Sequence, residues 1–147
     1  PLLLTQSLLP LLKGGDPASR IVMIGAGMDK HAQPGTGSYG ISKMALRRLG
    51  RQMSVEFDTM PDGPVVSLFQ PGLVDTPGIR SHIKKAGDLN LPHAEWLAGR
   101  LEAGECLTAE QAASALVFTL NQVPDSDFHG AVFNGADLVD SLSFAGS

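Results

Sequence analysis

The chain has 147 residues, is 43% hydrophobic and 18% charged, and carries a formal net charge of −4. That length suits one core and one domain, and no run of Lys or Arg supplies the basic face that nucleic acid requires. The lone cysteine, Cys106, excludes an internal disulfide and a multi-cysteine metal site and fits a reducing, cytoplasmic setting, while no apolar run reaches the ~18 residues of a membrane span.

Residues 2–13 (LLLTQSLLPLLK) are apolar on every side, which predicts a helix buried between neighbours and ended by Gly14, Gly15, Asp16 and Pro17. This stretch lacks the basic flank of a signal peptide, is broken by Pro10 and begins without Met. It is therefore read as interior to a larger domain whose upstream part precedes Pro1. Arg20 to Ile24 (RIVMI) is a short β-branched run without alternation, as expected of a central parallel strand covered on both faces. A glycine-rich loop follows, with Gly25, Gly27, Gly35 and Gly37 around Pro34.

Residues 38–57 predict a long helix, with Ile41, Ala45, Leu49, Met53 and Phe57 recurring every four residues and Arg47, Arg48 and Arg51 on a polar side. Pro61-Asp62-Gly63-Pro64 breaks the chain, and Val65 to Phe69 predicts a second buried strand that runs into Pro71-Gly72. Residues 73–107 have scattered charge and no clean period, which predicts an irregular functional lid. Thr108-Ala109-Glu110-Gln111 has the form of a capping box, opening a helix that extends to about Gln122 and stops at Pro124. Ala131 to Phe133 predicts a third strand before Asn134-Gly135, and the tail, residues 140–147, is expected to fray. Strands separated by helices imply parallel βαβ crossovers: an α/β fold with a partial doubly wound, Rossmann-like parallel sheet and flanking helices.

The helix that begins at Ser38 contains Tyr39-Gly-Ile-Ser-Lys43. Residues four apart share a helix face, and an ammonium beside a phenol favours the ionised ring oxygen. Such a phenol can exchange a proton with a carbonyl or an alcohol. Three features of context give this common spacing weight. The motif follows a buried strand and a glycine-rich loop, the next strand ends in Pro71-Gly72-Leu73-Val74-Asp75-Thr76, and a lid comes after Thr76. Ligands of open α/β sheets sit beyond the carboxyl ends of strands, so both motifs fall on one rim.

The segments S-Y-G-I-S-K-M-A-L and V-V-S-L-F-Q-P-G-L-V-D-T, with L-T-Q-S-L-L-P-L-L before R-I-V-M-I-G, resemble the short-chain dehydrogenase/reductases, collinearly from Pro1 to about Gly135. The resemblance implies that residues 1–147 are the C-terminal part of a single Rossmann-like domain, with 73–107 as the substrate lid. It implies NAD or NADP as cofactor, a small carbonyl or alcohol substrate and a homo-oligomer, with neither nucleic acid nor membrane as partner. Tyr39 would be the general acid/base and would also contact the cofactor; Lys43 would hold the nicotinamide ribose and lower the pKa of Tyr39. Pro71, Gly72, Val74 and Thr76 would line the nicotinamide, with Thr76 at its carboxamide.

Two departures stand out. The family's substrate-polarising serine, about thirteen residues before the tyrosine, falls on Ala26, which has no side-chain donor. Losing one such donor can cost ~10²–10³ in rate. Asp29, His31, Thr36 and Ser38 are the nearby candidates to replace it. The family's glycine-rich phosphate loop is not matched by Gly25-Ala26-Gly27. A weakened or inactive relative, acting as a cofactor-binding or subunit-pairing module, is the alternative to an enzyme. A nucleotide-sugar epimerase shares the tyrosine–lysine spacing but not the Pro71-to-Thr76 segment. The remaining residues of note have plainer readings: Asp29 and Lys30 as loop surface, Trp96 as lid or core packing, Cys106 as a small apolar residue. His31, His82, His93 and His129 lack metal-ligand spacing, so no metal is expected.

Overall fold

Three parallel strands, β1 (Arg20–Ile24), β2 (Val65–Gln70) and β3 (Val132–Asn134), form one sheet in the order β1-β2-β3 in the computed structural model, which describes residues 1–145. Among the described residues, seven helices surround or extend it: α1 (Leu2–Leu12), α2 (Gly37–Phe57), α3 (Pro77–Asp88), α4 (His93–Glu102), α5 (Ala109–Gln122), α6 (Asp125–Phe128) and α7 (Gly135–Ala145). A short 3₁₀ turn, Gly27–Asp29, leaves the end of β1.

Side chains alternate across a strand, so β2 serves two cores. Val66 and Leu68 face α2, where they pack with Met23 of β1 and with Met53 and Phe57; Leu9 of α1 reaches the same cluster. The opposite face meets α5 and α6 through Arg20. That guanidinium donates to Leu120 O at 2.8 Å and Val123 O at 2.7 Å, pairs with Asp125, and lies 4.7 Å from the centroid of the fully buried Phe128 ring. The last carbonyls of a helix have no partner within it. Arg20 supplies that partner to α5 and so ties the first strand to a helix about a hundred residues later. The α5 N-terminus has both halves of the capping box, Gln111 N to Thr108 Oγ1 and Thr108 N to Gln111 Oε1.

Four expectations are corrected here. Helix α1 has no buried residue; Leu3 and Leu11 are among its exposed leucines, because among the described residues little packs on it besides the Met23–Leu68 core cluster that Leu9 reaches. Strand β1 is at the edge of the sheet and β2 holds the centre. Residues 73–107 are not irregular but contain two helices, α3 and α4. The expected frayed tail is helical through Ala145, while residues 146–147 lie outside the described residues.

The stripe on α2 is only half right. At 3.6 residues per turn a four-residue row rotates by about 40° per step. Ile41 and Ala45 accordingly end up exposed while Met53 and Phe57 are buried, and the core line is completed by Leu46 and Gly50.

Arg20→Met should lower unfolding free energy by about 2–4 kcal/mol, since it strips helix-end carbonyls and Asp125 of a largely buried cation. Arg20→Lys should recover only part, because an ammonium cannot fork between these acceptors. Urea unfolding reads both effects as a lower midpoint; two variants with wild-type midpoints would show that Arg20 does not tie the sheet to α5.

Candidate active site

Parallel pairing sets the carboxyl ends of β1 and β2 side by side. Ile24 is in register with Phe69, and the ladder continues into the loop, where Gly25 N donates to Phe69 O at 2.8 Å. The loops leaving these ends, 25–36 and 71–76, therefore share one rim. Gly72 turns the second loop with φ +88°, a conformation that side chains disfavour. The end of β3 comes equally close: a Cβ on Gly135 would lie 2.7 Å from Pro71 O.

Helix α2 enters at this rim. Thr36 precedes it, buried, with its hydroxyl donating to Gln33 O at 2.8 Å. Tyr39 lies in the first turn and is 49% exposed. One turn on, Lys43 Nζ donates to Ile24 O at 2.9 Å and stands 5.7 Å from the Tyr39 ring centroid. The helix thus joins Tyr39 and Lys43 to the last carbonyl of β1. An ammonium has three N–H donors, and one is taken here, leaving others for further acceptors. On the neighbouring loop, Thr76 caps α3 by accepting from Ile79 N at 3.3 Å, which leaves the hydroxyl hydrogen available to donate. Val74 pairs with Leu107 in a parallel bridge, so the α3–α4 hairpin leaves and rejoins the rim at a clasped base.

Ala26 is half-buried and extended; its carbonyl accepts from Gln70 Nε2 at 3.1 Å. Two of the four candidate replacements for a serine hydroxyl are already committed. Thr36 donates inward, and Asp29, read from sequence as loop surface, is 5% exposed, paired with Arg47 at 2.5 Å and bonded by Gln70 at 3.0 Å. His31 and Ser38 remain exposed. Trp96 is exposed on α4, with Arg100 5.8 Å from its ring, so it is not core.

No family model and no curated protein matches the sequence. Solved structures do. A short-chain dehydrogenase/reductase from Saccharomyces cerevisiae superposes with a TM-score of 0.67 at 20% identity, over 82% of this chain and 48% of that one. A protein described as an NAD(P)-dependent gluconate 5-dehydrogenase from Beutenbergia cavernae, solved with NADP bound, gives 0.61 at 23% identity, over 92% and 49%. The aldohexose dehydrogenase of Thermoplasma acidophilum gives 0.59 at 19% identity, over 80% and 47%. This is the short-chain dehydrogenase/reductase fold, in part. The chain spans about half the length of the solved structures it matches.

Within that fold, sequence reasoning missed the Asp29–Arg47–Gln70 cluster beneath the Ala26 loop. The sequence pattern puts Arg47 on the polar side of α2, and nothing in a linear pattern says that a 3₁₀ turn folds Asp29 in beneath it. The spacing also gave no sign that His82 and His93 meet, with their Nε2 atoms 3.1 Å apart.

Asp75, beside the rim, accepts from Arg80 Nε at 2.7 Å and Nη2 at 2.6 Å, and these bonds hold its carboxyl below the usual carboxylate range. A carboxylate depressed in the folded state stabilises that state above its unfolded value, about 3.9, and ceases to do so as pH falls through the lower folded value. A carboxyl-carbon NMR titration should therefore place the Asp75 midpoint below about 3.9 and return it upward in Arg80→Gln. An equal midpoint in both proteins would mean that the pair does not persist in solution.

Proposed function

We propose that this chain forms the catalytic rim of an NAD(P)-dependent oxidoreductase that interconverts a carbonyl and an alcohol. The observation that carries the reading is the exposed Tyr39 phenol, held one helical turn from an ammonium that is itself anchored to the strand end. The donor set suits a nicotinamide ribose: Lys43 has N–H groups to spare for the diol, and Thr76 has a hydroxyl hydrogen for the carboxamide. Pro71, Gly72 and Val74 line the intervening turn, where glycine lets a flat ring approach the backbone.

The bound dinucleotide would exchange a hydride with the substrate carbon. In the reduction direction Tyr39 gives its phenolic proton to the carbonyl oxygen as that carbon is reduced; in oxidation it takes the proton back. Lys43 stabilises the ring oxygen while it carries negative charge. Ala26 offers no hydroxyl to the substrate oxygen, and this favours a second reading: a weakened relative that binds or pairs more than it turns over. Exposed Ile41, Met44 and Val55 give α2 a face for self-association, and the unpaired Cys106 suits a reducing cytoplasm. The names of two similar structures put sugars and sugar acids in the substrate panel beside small ketones, diketones and quinones.

The test uses the protein as expressed, with NADH and NADPH. Tyr39→Phe should cut kcat by about 10²–10⁴-fold while cofactor affinity stays within about twofold, because only the proton donor is lost. Lys43→Ala should weaken both. Full turnover by the Phe variant would remove Tyr39 from the chemistry.

Ala26→Ser should raise kcat, by less than the ~10²–10³ of a donor in a preorganised site, since the bond strengthens as charge builds on oxygen. No turnover by wild type or by this variant, across the whole panel with both cofactors, would end the catalytic reading in favour of the module.

A further inference from the structure

Behind the rim, between the sheet and α2, lies a polar cluster that the proposed chemistry does not use. Side chains alternate across a strand, so Gln70 leaves β2 on the same face as Leu68, toward α2. Gly25 leaves room for it: a Cβ there would lie 3.2 Å from Gln70 Cγ. The backbone ladder between β1 and β2 ends at this point. Gly25 N still donates to Phe69 O, but the next donor along β2 would belong to Pro71, which has no N–H. The Gln70 side chain carries the tie one residue further, its Nε2 donating to Ala26 O at 3.1 Å and to Asp29 Oδ2 at 3.0 Å.

Both N–H groups of that amide are thus taken, each by an oxygen. Turning the amide over would set its own oxygen against two others, so its orientation is fixed. Asp29 is fixed in turn by Arg47, which pairs with the same carboxylate oxygen and stands one turn of α2 beyond Lys43. Among the described residues, Asp29 Oδ1 and Arg47 Nη2 are buried without partners. The cluster therefore costs stability that an apolar trio of the same volume would not.

The cluster reaches both walls of the proposed reaction site. On one side it holds Ala26, which stands where the family resemblance expects a group facing the substrate oxygen. On the other, the 3₁₀ turn that ends in Asp29 abuts the first turn of α2, where a Cβ on Gly40 would lie 3.2 Å from Met28 O. Gly40 is the neighbour of Tyr39.

We infer that Gln70 and Asp29 are positioning residues: by holding the 26–29 turn they set the gap between Ala26 and Tyr39 that receives the substrate carbonyl. The inference rests on the catalytic reading proposed above. Both residues act through the turn, since the Asp29 side chain is fully buried and the Gln70 donors are engaged behind the loop. Reacting groups must be held close to their productive geometry, and a displacement of about 1 Å can cost ~10²-fold in rate. The groups assigned to the cofactor are anchored independently: Lys43 on Ile24 O, and Thr76 at the cap of α3. Loss of the cluster should therefore separate turnover from cofactor binding.

Two variants of the protein as expressed test this. Gln70→Met keeps the length of the side chain and removes both donors. Gln70→Glu keeps the outline and sets a carboxylate against Asp29 and Ala26 O. Each should lower kcat, counted per cofactor-binding molecule, by about 10–100-fold, with NADH and NADPH affinities within about twofold of wild type. Hydrogen exchange of peptides covering 25–36 should quicken by about tenfold in both, while α5 peptides keep their wild-type protection. If the glutamate variant does not fold, the methionine variant carries the comparison. A folded variant with wild-type kcat overturns the positioning role while the catalytic reading stands. Unchanged exchange over 25–36 overturns it too, as does a loss of kcat matched by an equal loss of cofactor affinity. A wild type without turnover on the whole substrate panel ends the catalytic reading itself, and this role with it.

Discussion

Everything at the rim is placed by the parallel pairing of β2 with both of its neighbours. A parallel ladder fixes where each strand ends relative to the next, and it sends all three chains out of the sheet on the same side. The register persists beyond the strands: Gly25 N still bonds Phe69 O, and Gly135 has no room for a side chain against Pro71 O. Lys43 then uses the last carbonyl of β1 as its anchor. Tyr39 and Lys43 are thus positioned by backbone groups, which substitution of neighbouring side chains leaves in place.

The loop between β1 and α2 needs a different restraint, because it has few backbone partners. Its 3₁₀ turn folds Asp29 inward, where Arg47 pairs with one carboxylate oxygen and Gln70 bonds the same atom. Burying such charges is costly unless each is met, and among the described residues one oxygen of Asp29 and one nitrogen of Arg47 are left without partners. The cluster therefore adds little net stability while fixing a conformation. The same Gln70 amide bonds the Ala26 carbonyl, so the loop is held in shape at the very residue whose side chain has no donor. Committing Asp29 to this task also removes it as a replacement for a serine hydroxyl.

What the sequence made legible follows from local chemistry. The β2 run and the Thr108 capping box needed only neighbouring residues, and they appear where expected apart from one added residue, Gln70, on β2. Tyr39 and Lys43 share a face because helix geometry requires it. Features that depend on what lies alongside were not legible. An unalternating run such as Arg20 to Ile24 reads the same at an edge as at the centre, and the leucines of α1 cannot state whether anything covers them. The α3–α4 hairpin does have a period, with Ile79, Ile83 and Ala86 turned inward on one helix and Ala94, Leu97 and Leu101 on the other. Each stripe lasts two or three turns and is interrupted by the turn through Asn90, at φ +52°, so neither accumulates enough repeats to stand out. Side-chain meetings across elements, such as Asp29 with Arg47 or His82 with His93, leave no linear trace at all.

The hairpin's two attachments differ in kind, and this decides how it can move. Its base is closed by backbone bonds, Asp75 N to Leu107 O at 2.8 Å and Leu107 N to Leu73 O at 2.9 Å. Its far side rests on Leu91 against Gly35, while the His82–His93 contact joins its own two helices. Loosening the Leu91 contact while the base holds would pivot α3 and α4 about the Val74–Leu107 bridge rather than detach them. Gly72 and Thr76 lie near the pivot and would shift little. Gly35 lies at the contact that opens, and it is joined through Thr36 to the first turn of α2. Any effect of hairpin opening on Tyr39 must therefore travel through the 30–36 loop, and the Asp29–Arg47–Gln70 cluster at the start of that loop limits how far back toward Ala26 it can spread.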